Sequence, residues 1–149
     1  MKTNGGFLVT KIKQLGDRIF ERILAEKNID AFNGAQGRIL YVLWQEDGVP
    51  IKIISEKSGL AITSLTTMLE RMEKNGLISR KTDEADKRKT LLFLTDKAKE
   101  LKEAYDSVSN EMGNIYYRDF TDKEILQFEE YLNRIRVNLG NGVANEYLY

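Results

Sequence analysis

The sequence predicts a mainly α-helical chain that carries one small β-hairpin, and three observations predict it. Apolar residues recur at intervals of three and four over most of the 149 residues, the spacing of helices that bury one face. That spacing is interrupted between Leu77 and Leu94, where two short apolar runs flank the charged stretch TDEADKRK. The only proline, Pro50, stands ahead of this interruption rather than inside a periodic segment.

The elements follow in order. Residues 7 to 27 form a helix whose Leu8, Ile12, Leu15, Ile19 and Ile23 fall on one stripe, widened by Phe20 and Leu24. This face reads either as ordinary core or as a surface partly covered by a second subunit. Asn28-Ile29-Asp30 breaks the pattern, and Asn33 then stands as an N-cap for a short helix with Ile39, Leu40, Leu43 and Trp44 inside. Gly34 and Gly37 suggest a neighbour approaching closely. Asp47-Gly48-Val49-Pro50 ends that helix, and Val49 to Ile51 is expected to be a short extended link.

Ile53, Ile54 and Leu60 bracket a helix that Gly59 ends, because glycine accepts the left-handed conformation common at helix C-termini. A turn of about three to four residues leads to a second helix, which is helix-turn-helix spacing. Ile62, Leu65, Leu69 and Met72 are its expected buried stripe, leaving Thr63, Ser64, Thr66, Thr67 and Arg71 outside, and Asn75-Gly76 stops it. Leu77 to Lys81 and Thr90 to Leu94 then pair as a hairpin, with Lys87, Arg88 and Lys89 in the loop where a two-residue turn would suffice. A long basic hairpin tip beside such a helix is a wing. The fold class is therefore a winged helix-turn-helix, mainly α with a small β-hairpin wing, flanked by terminal helices.

Those flanking helices are long. Ala98, Leu101, Tyr105, Val108, Met112 and Ile115 form a heptad-like seam that wants a partner. Thr121-Asp122-Lys123-Glu124 is a capping box, with Phe120 and Ile125 placed as its hydrophobic staple. Ile125, Phe128, Leu132, Ile135 and Leu139 continue the stripe to Gly140 and Gly142, which are expected to end the helix and leave a tail whose Tyr147, Leu148 and Tyr149 either pack or fray.

A small, hydroxylic and basic helix face suits a DNA major groove, where side chains reach both phosphates and base edges. The charge distribution agrees: Lys52 to Lys99 holds 11 Lys and Arg against 7 Asp and Glu, while the whole chain balances at 23 and 23. Arg88 is suited to a narrow A·T-rich minor groove. Asp86 would repel phosphate at the wing tip, so it is expected to orient an arginine, either Arg88 or Arg71, through a bidentate pair. The DNA-contacting candidates are thus Thr63, Ser64, Thr66, Thr67, Arg71, Asp86, Lys87, Arg88 and Lys89. Each also has a plainer reading, as solvated surface hydroxyls or a solvated charged loop.

The stretch LERMEKNGLISRKTDEADKRKTLLFLT resembles the signature of the MarR family of winged-helix transcriptional regulators. The likeness lies in Gly76-Leu77-Ile78 after the helix, the Asp-x-Arg of Asp86-Lys87-Arg88, and the strand end Leu94-Thr95. It extends in helix order over nearly the whole chain, but the terminal helices match only in length and pattern. The resemblance implies a regulator, expected to repress, that binds a pseudo-palindromic site on double-stranded DNA as a homodimer. It divides the chain into residues 1–31 and 96–149 as dimerisation parts and 32–95 as the DNA-binding domain. It also implies, commonly, a pocket for a small organic effector, for which Tyr41, Trp44 and Tyr105 are candidates, although aromatics at helical spacing equally read as core.

Cysteine and histidine are both absent, so disulfides, thiol chemistry and the usual zinc sites are excluded for this sequence, and neither a metal nor a cofactor is expected. Without a Gly-rich phosphate loop or a paired-carboxylate context, an enzyme is not expected either. No apolar run reaches the length of a membrane span, which points to a cytoplasmic location. The competing reading is a winged helix used only for protein–protein contacts, because fold does not fix function.

Overall fold

The structure is a computed structural model and describes residues 1–146, so Tyr147, Leu148 and Tyr149 lie outside the described residues. The chain divides into two compact units, Met1–Met112 and Gly113–Tyr149.

The first unit opens with α1 (Gly5–Glu26), and its helix stops where Asn28 turns to a φ of 58°. Ile23 and Leu24 are buried, whereas Phe7, Leu8, Ile12 and Leu15 on the same helix are exposed. In α2 (Gly34–Gln45), Asn33 accepts from the Gln36 amide at 2.9 Å and Gln36 returns a bond to the Asn33 amide at 3.1 Å, a reciprocal cap. Gly37 is where Tyr105 comes close, since a Cβ there would meet the Tyr105 ring at 3.1 Å.

After α2 the chain forms β1 (Val49–Pro50), then α3 (Ile51–Ser58), α4 (Ile62–Lys74), β2 (Ile78–Thr82), β3 (Thr90–Leu94) and α5 (Asp96–Lys99). The sheet has the order β1-β3-β2, wholly antiparallel, with Ile78 opposite Leu94 and Thr82 opposite Thr90. The expected link at Val49 to Ile51 is therefore partly a strand, pairing Val49 with Leu92, and Ile51 already belongs to α3. Gly48 allows this, with a φ of 71° and its amide donating to the Leu92 carbonyl at 3.0 Å, while the Asp47 carboxylate caps the Leu94 amide at 2.8 Å. The core lies where α2, α3, α4 and the sheet meet. Ile39, Leu40, Leu43, Ile54, Leu65, Leu69, Met72, Leu77, Ile78 and Leu92 are all removed from solvent, each contributing about 1.5–3 kcal/mol.

The seam expected to be one helix from residue 98 is broken. α5 ends at Lys99 and α6 begins at Lys102 (Lys102–Tyr116). The Ala98 carbonyl accepts from the Leu101 amide at 3.1 Å, a tighter i to i+3 bond, and from the Trp44 indole at 3.2 Å. The same carbonyl thus accepts one local and one tertiary hydrogen bond at the break.

In the second unit, Asp119 turns the chain at a φ of 65° into α7 (Asp122–Glu146). The capping box forms: Glu124 accepts from the Thr121 amide at 2.9 Å and its own amide donates to the Thr121 hydroxyl at 3.2 Å. The Thr121 amide, and then its hydroxyl, hold the Glu124 carboxyl below the usual carboxylate range. Phe120 is exposed, with its ring edge-on to Tyr117, which also meets Phe128. Gly140 and Gly142 do not end α7, which runs through both. Glycine inside a helix costs about 1 kcal/mol without forbidding it. Leu126, Ile135 and Leu139 on α7 are exposed.

Candidate nucleic-acid interface

The helix-turn-helix is fixed by its own short side chains. Gly59 takes a φ of 74° at the end of α3, the Ser55 hydroxyl donates to the Leu60 carbonyl at 2.7 Å, and the Leu60 amide donates to the Ser58 hydroxyl at 3.2 Å. The hydroxyls of Ser55 and Ser58 thus bond both backbone groups of Leu60 within the turn. Along α4, Leu65, Leu69 and Met72 are buried, and Thr63, Ser64, Thr66, Thr67 and Arg71 are exposed. The Thr66 hydroxyl donates back to the Ile62 carbonyl at 3.0 Å. Ile62 departs from the expected stripe, being 48% exposed. It is the first helical residue, one turn ahead of the point where the stripe meets the core.

The C-terminus of α4 is tied to the wing. Gly76 at a φ of 76° donates to the Glu73 carbonyl at 3.1 Å and Leu77 to the Met72 carbonyl at 2.9 Å, the paired bonds of a Schellman cap, with Leu77 and Met72 both buried. Thr95 closes the other side. Its hydroxyl donates to the Gly76 carbonyl at 2.6 Å and accepts from the Ala98 amide at 3.2 Å, and its amide donates to the Leu77 carbonyl at 3.1 Å. The Leu-Thr strand end thus joins the recognition helix, the sheet and α5.

The loop between β2 and β3 is built on aspartates. Asp83 accepts from the Ala85 amide at 2.9 Å, the Asp83 amide donates to the Lys89 carbonyl at 3.0 Å, and the Lys89 amide donates to the Asp86 carbonyl at 2.9 Å. Of the two arginines left open by the sequence, Asp86 takes Arg88: Nε donates to Oδ1 at 3.0 Å and Nη2 to Oδ2 at 3.1 Å, while the Arg88 amide donates to Oδ1 at 3.1 Å. The Arg88 hydrogen bonds hold the Asp86 carboxyl below its usual range, and the same pair pushes the guanidinium up. The Arg88 side chain remains 90% exposed, so it is oriented without being covered. Lys87 and Lys89 are also exposed and have no ion-pair partner among the described residues. The site thus presents an exposed hydroxyl-rich helix face and, on the β2–β3 loop, an exposed arginine held by Asp86.

Comparison with known proteins bears on this geometry. Residues 32–90 match the model of the MarR family. The HTH-type transcriptional regulator TtmR of Methylorubrum extorquens is 36% identical over 77 residues, covering 52% of this chain and 40% of that protein. The organic hydroperoxide resistance transcriptional regulator of Bacillus subtilis is 42% identical over 64 residues, covering 43% of this chain and 44% of that protein. The matches span less than half the length of these two relatives. A solved structure of a mutant MarR from E. coli, complexed with operator DNA, shares 22% identity over 87% of this chain and 91% of that one, at a TM-score of 0.78, which shows a common fold. The matched segment contains every DNA-contacting candidate, from Thr63 to Lys89, and excludes α1, α6 and α7.

The three aromatic candidates for an effector site do come together, Tyr41 and Trp44 from within the matched segment and Tyr105 from outside it. The Tyr105 ring is 5.8 Å from that of Tyr41 and 5.3 Å from that of Trp44, and Phe20 and Phe32 lie at 6.2 and 6.1 Å. Burial, and then Tyr41, push the Tyr105 hydroxyl up. An open depression of about 390 Å³ lies between the end of α1 and the start of α2, lined by Glu21, Leu24, Ile29, Asp30, Phe32 and Gln36, and shares only Phe32 with the cluster. Sequence reasoning overlooked Ile62 as a surface residue; its place directly after the turn was the signal.

Proposed function

We propose that this MarR-family protein is a transcriptional regulator that binds a pseudo-palindromic operator as a homodimer and represses. One observation carries the reading. The exposed hydroxyl and basic face of α4 and the Asp86-held Arg88 belong to one unit, with Thr95 bonding the end of the helix to the strand that carries the wing. In this reading Thr63, Ser64, Thr66, Thr67 and Arg71 enter the major groove, Arg88 reaches a minor groove, and Lys87 and Lys89 meet phosphate. The relatives named as transcriptional regulators support it.

Dimerisation rests on uncovered apolar surface. Phe7, Leu8, Ile12 and Leu15 on α1, and separately Leu126, Ile135 and Leu139 on α7, are exposed in the single chain. Residues 1–31 and 96–149 would form the interface and 32–95 the DNA-binding part, with recognition helices about one DNA turn apart. An effector, where one acts, is a small organic molecule held near Tyr41, Trp44 and Tyr105, since the sequence has no cysteine or histidine to sense oxidants or metals.

The test is selection of duplexes from a random-sequence pool, followed by titration at two salt concentrations and sedimentation of the free protein. An enriched inverted repeat, binding that weakens with salt, and a dimer at micromolar concentration are expected. Absence of any duplex preference would leave the protein-contact module as the reading, and a stable monomer would remove the palindrome.

A further inference from the structure

The first turn of α4 presents apolar side chains to solvent. Ala61 caps the helix without any side-chain hydrogen bond, Ala61 and Ile62 are both exposed, and the first turn holds no acidic residue. Ile62 and Thr66 are one turn apart and share a flank. The Thr66 hydroxyl is engaged by the Ile62 carbonyl at 3.0 Å, which withdraws it from reading anything outside and leaves its methyl beside Ile62. Ser64, Thr67 and Arg71 share the other flank, where the hydroxyls and the guanidinium have no hydrogen-bond partner among the described residues. At its N-terminal end the outer surface of α4 thus sets a short apolar strip beside a hydrogen-bonding one that also holds Thr63.

Such a division has a counterpart in duplex DNA. Three of the four bases offer only hydrogen-bonding atoms in the major groove, whereas thymine adds a C5 methyl group, which apolar side chains recognise. Recognition helices present their N-terminal residues to base edges. Resting on the DNA-binding reading above, we infer that Ile62 is a specificity-determining residue that selects thymine by contact with its C5 methyl, with Ala61 and the Thr66 methyl completing the apolar strip. Single exposed apolar residues are common on protein surfaces, so the methyl group itself must be the probe.

The experiment uses the full chain and the best duplex from the selection. Each thymidine in turn is replaced by deoxyuridine, which removes only the methyl, and binding is measured for the parent and for Ile62→Ala. One thymidine per half-site is expected to matter. Its replacement should weaken the parent about fourfold, from a methyl transfer value of about 0.8 kcal/mol. Ile62→Ala should bind the thymidine duplex about fourfold more weakly and no longer distinguish it from the deoxyuridine one. Because the substitution in the DNA leaves the protein untouched, a folding defect cannot imitate this result. Tight, specific binding by the parent that is indifferent to every deoxyuridine overturns the inference alone. So does a methyl effect that Ile62→Ala leaves unchanged. If the selection yields no preferred duplex, the DNA-binding reading fails and the inference falls with it.

Discussion

Replacing Asp86 by alanine sets two electrostatic expectations against each other. Screening alone predicts tighter DNA binding, because a carboxylate near phosphate has been removed. At about 6 Å in water-like surroundings the repulsion relieved amounts to roughly threefold in a binding constant, and less at physiological salt. The structure predicts the opposite sign. Asp86 accepts three hydrogen bonds from Arg88, two of them from the guanidinium at 3.0 and 3.1 Å, and with the side chain 90% exposed no other contact holds it. Without Asp86 the arginine must be ordered by the DNA, at a cost on the order of tenfold for a long side chain. The net expectation is a loss of about threefold or more, largest on sites with A·T-rich flanks. Titration of a labelled selected duplex at two salt concentrations decides the matter. Tighter binding than the parent at both would show that Asp86 is only a surface charge and would refute the held-arginine argument.

Three further outcomes are expected. Thr67→Ala should alter base preference by roughly 1–3 kcal/mol at one position, while Lys87→Ala should weaken all duplexes alike and lower the salt slope by about one; competition titrations against variant sites separate the two. Gly48→Ala should destabilise the fold by about 2–4 kcal/mol, since its φ is 71° and a Cβ would meet Phe93 at 2.6 Å, whereas Gly76→Ala, with a φ of 76° in open space, should cost only about 1 kcal/mol; equal shifts in urea denaturation would refute the crowding term. Burial, and then its bond to Glu129 at 2.9 Å, push the Tyr117 hydroxyl up to about 12. A phenol raised in the folded state contributes stability that is present below the ordinary tyrosine range and lost as pH rises through about 12, so Tyr117→Phe should flatten the loss of stability above pH 10.

The local signals in the sequence were legible because local chemistry decides them. The Asn33 cap, the Gly59 and Asn75-Gly76 stops and the Thr121 capping box each depend on residues within one turn of one another, and each formed as expected. The hairpin was legible for the same reason, with Ile78 to Thr82 opposite Leu94 to Thr90 fixed by pattern on both sides of one loop. The two-residue strand β1 was not. Its pairing of Val49 with Leu92 spans more than forty residues and follows from Gly48 and Asp47 bonding to β3, which no local pattern announces.

The remaining departures have the same origin, in that a period measures which residues share a face without saying where the opposing surface begins or ends. Ile62 keeps the spacing of Leu65, Leu69 and Met72, yet the core starts one turn later, so spacing alone assigned it to the inside. Ala98 and Leu101 keep the spacing of Tyr105 and Val108, yet the helix breaks between them at a tighter i to i+3 bond, on a carbonyl that also accepts from Trp44, 54 residues earlier. Gly140 and Gly142 carry a cost of about 1 kcal/mol each in a helix, too little to end α7, and neither takes a positive φ. In each case the deciding interaction is either distant in sequence or absent from it. For Ile62 that has a functional consequence: an isoleucine which periodicity places in the core stands instead on the face of α4 that the DNA-binding reading turns toward the bases.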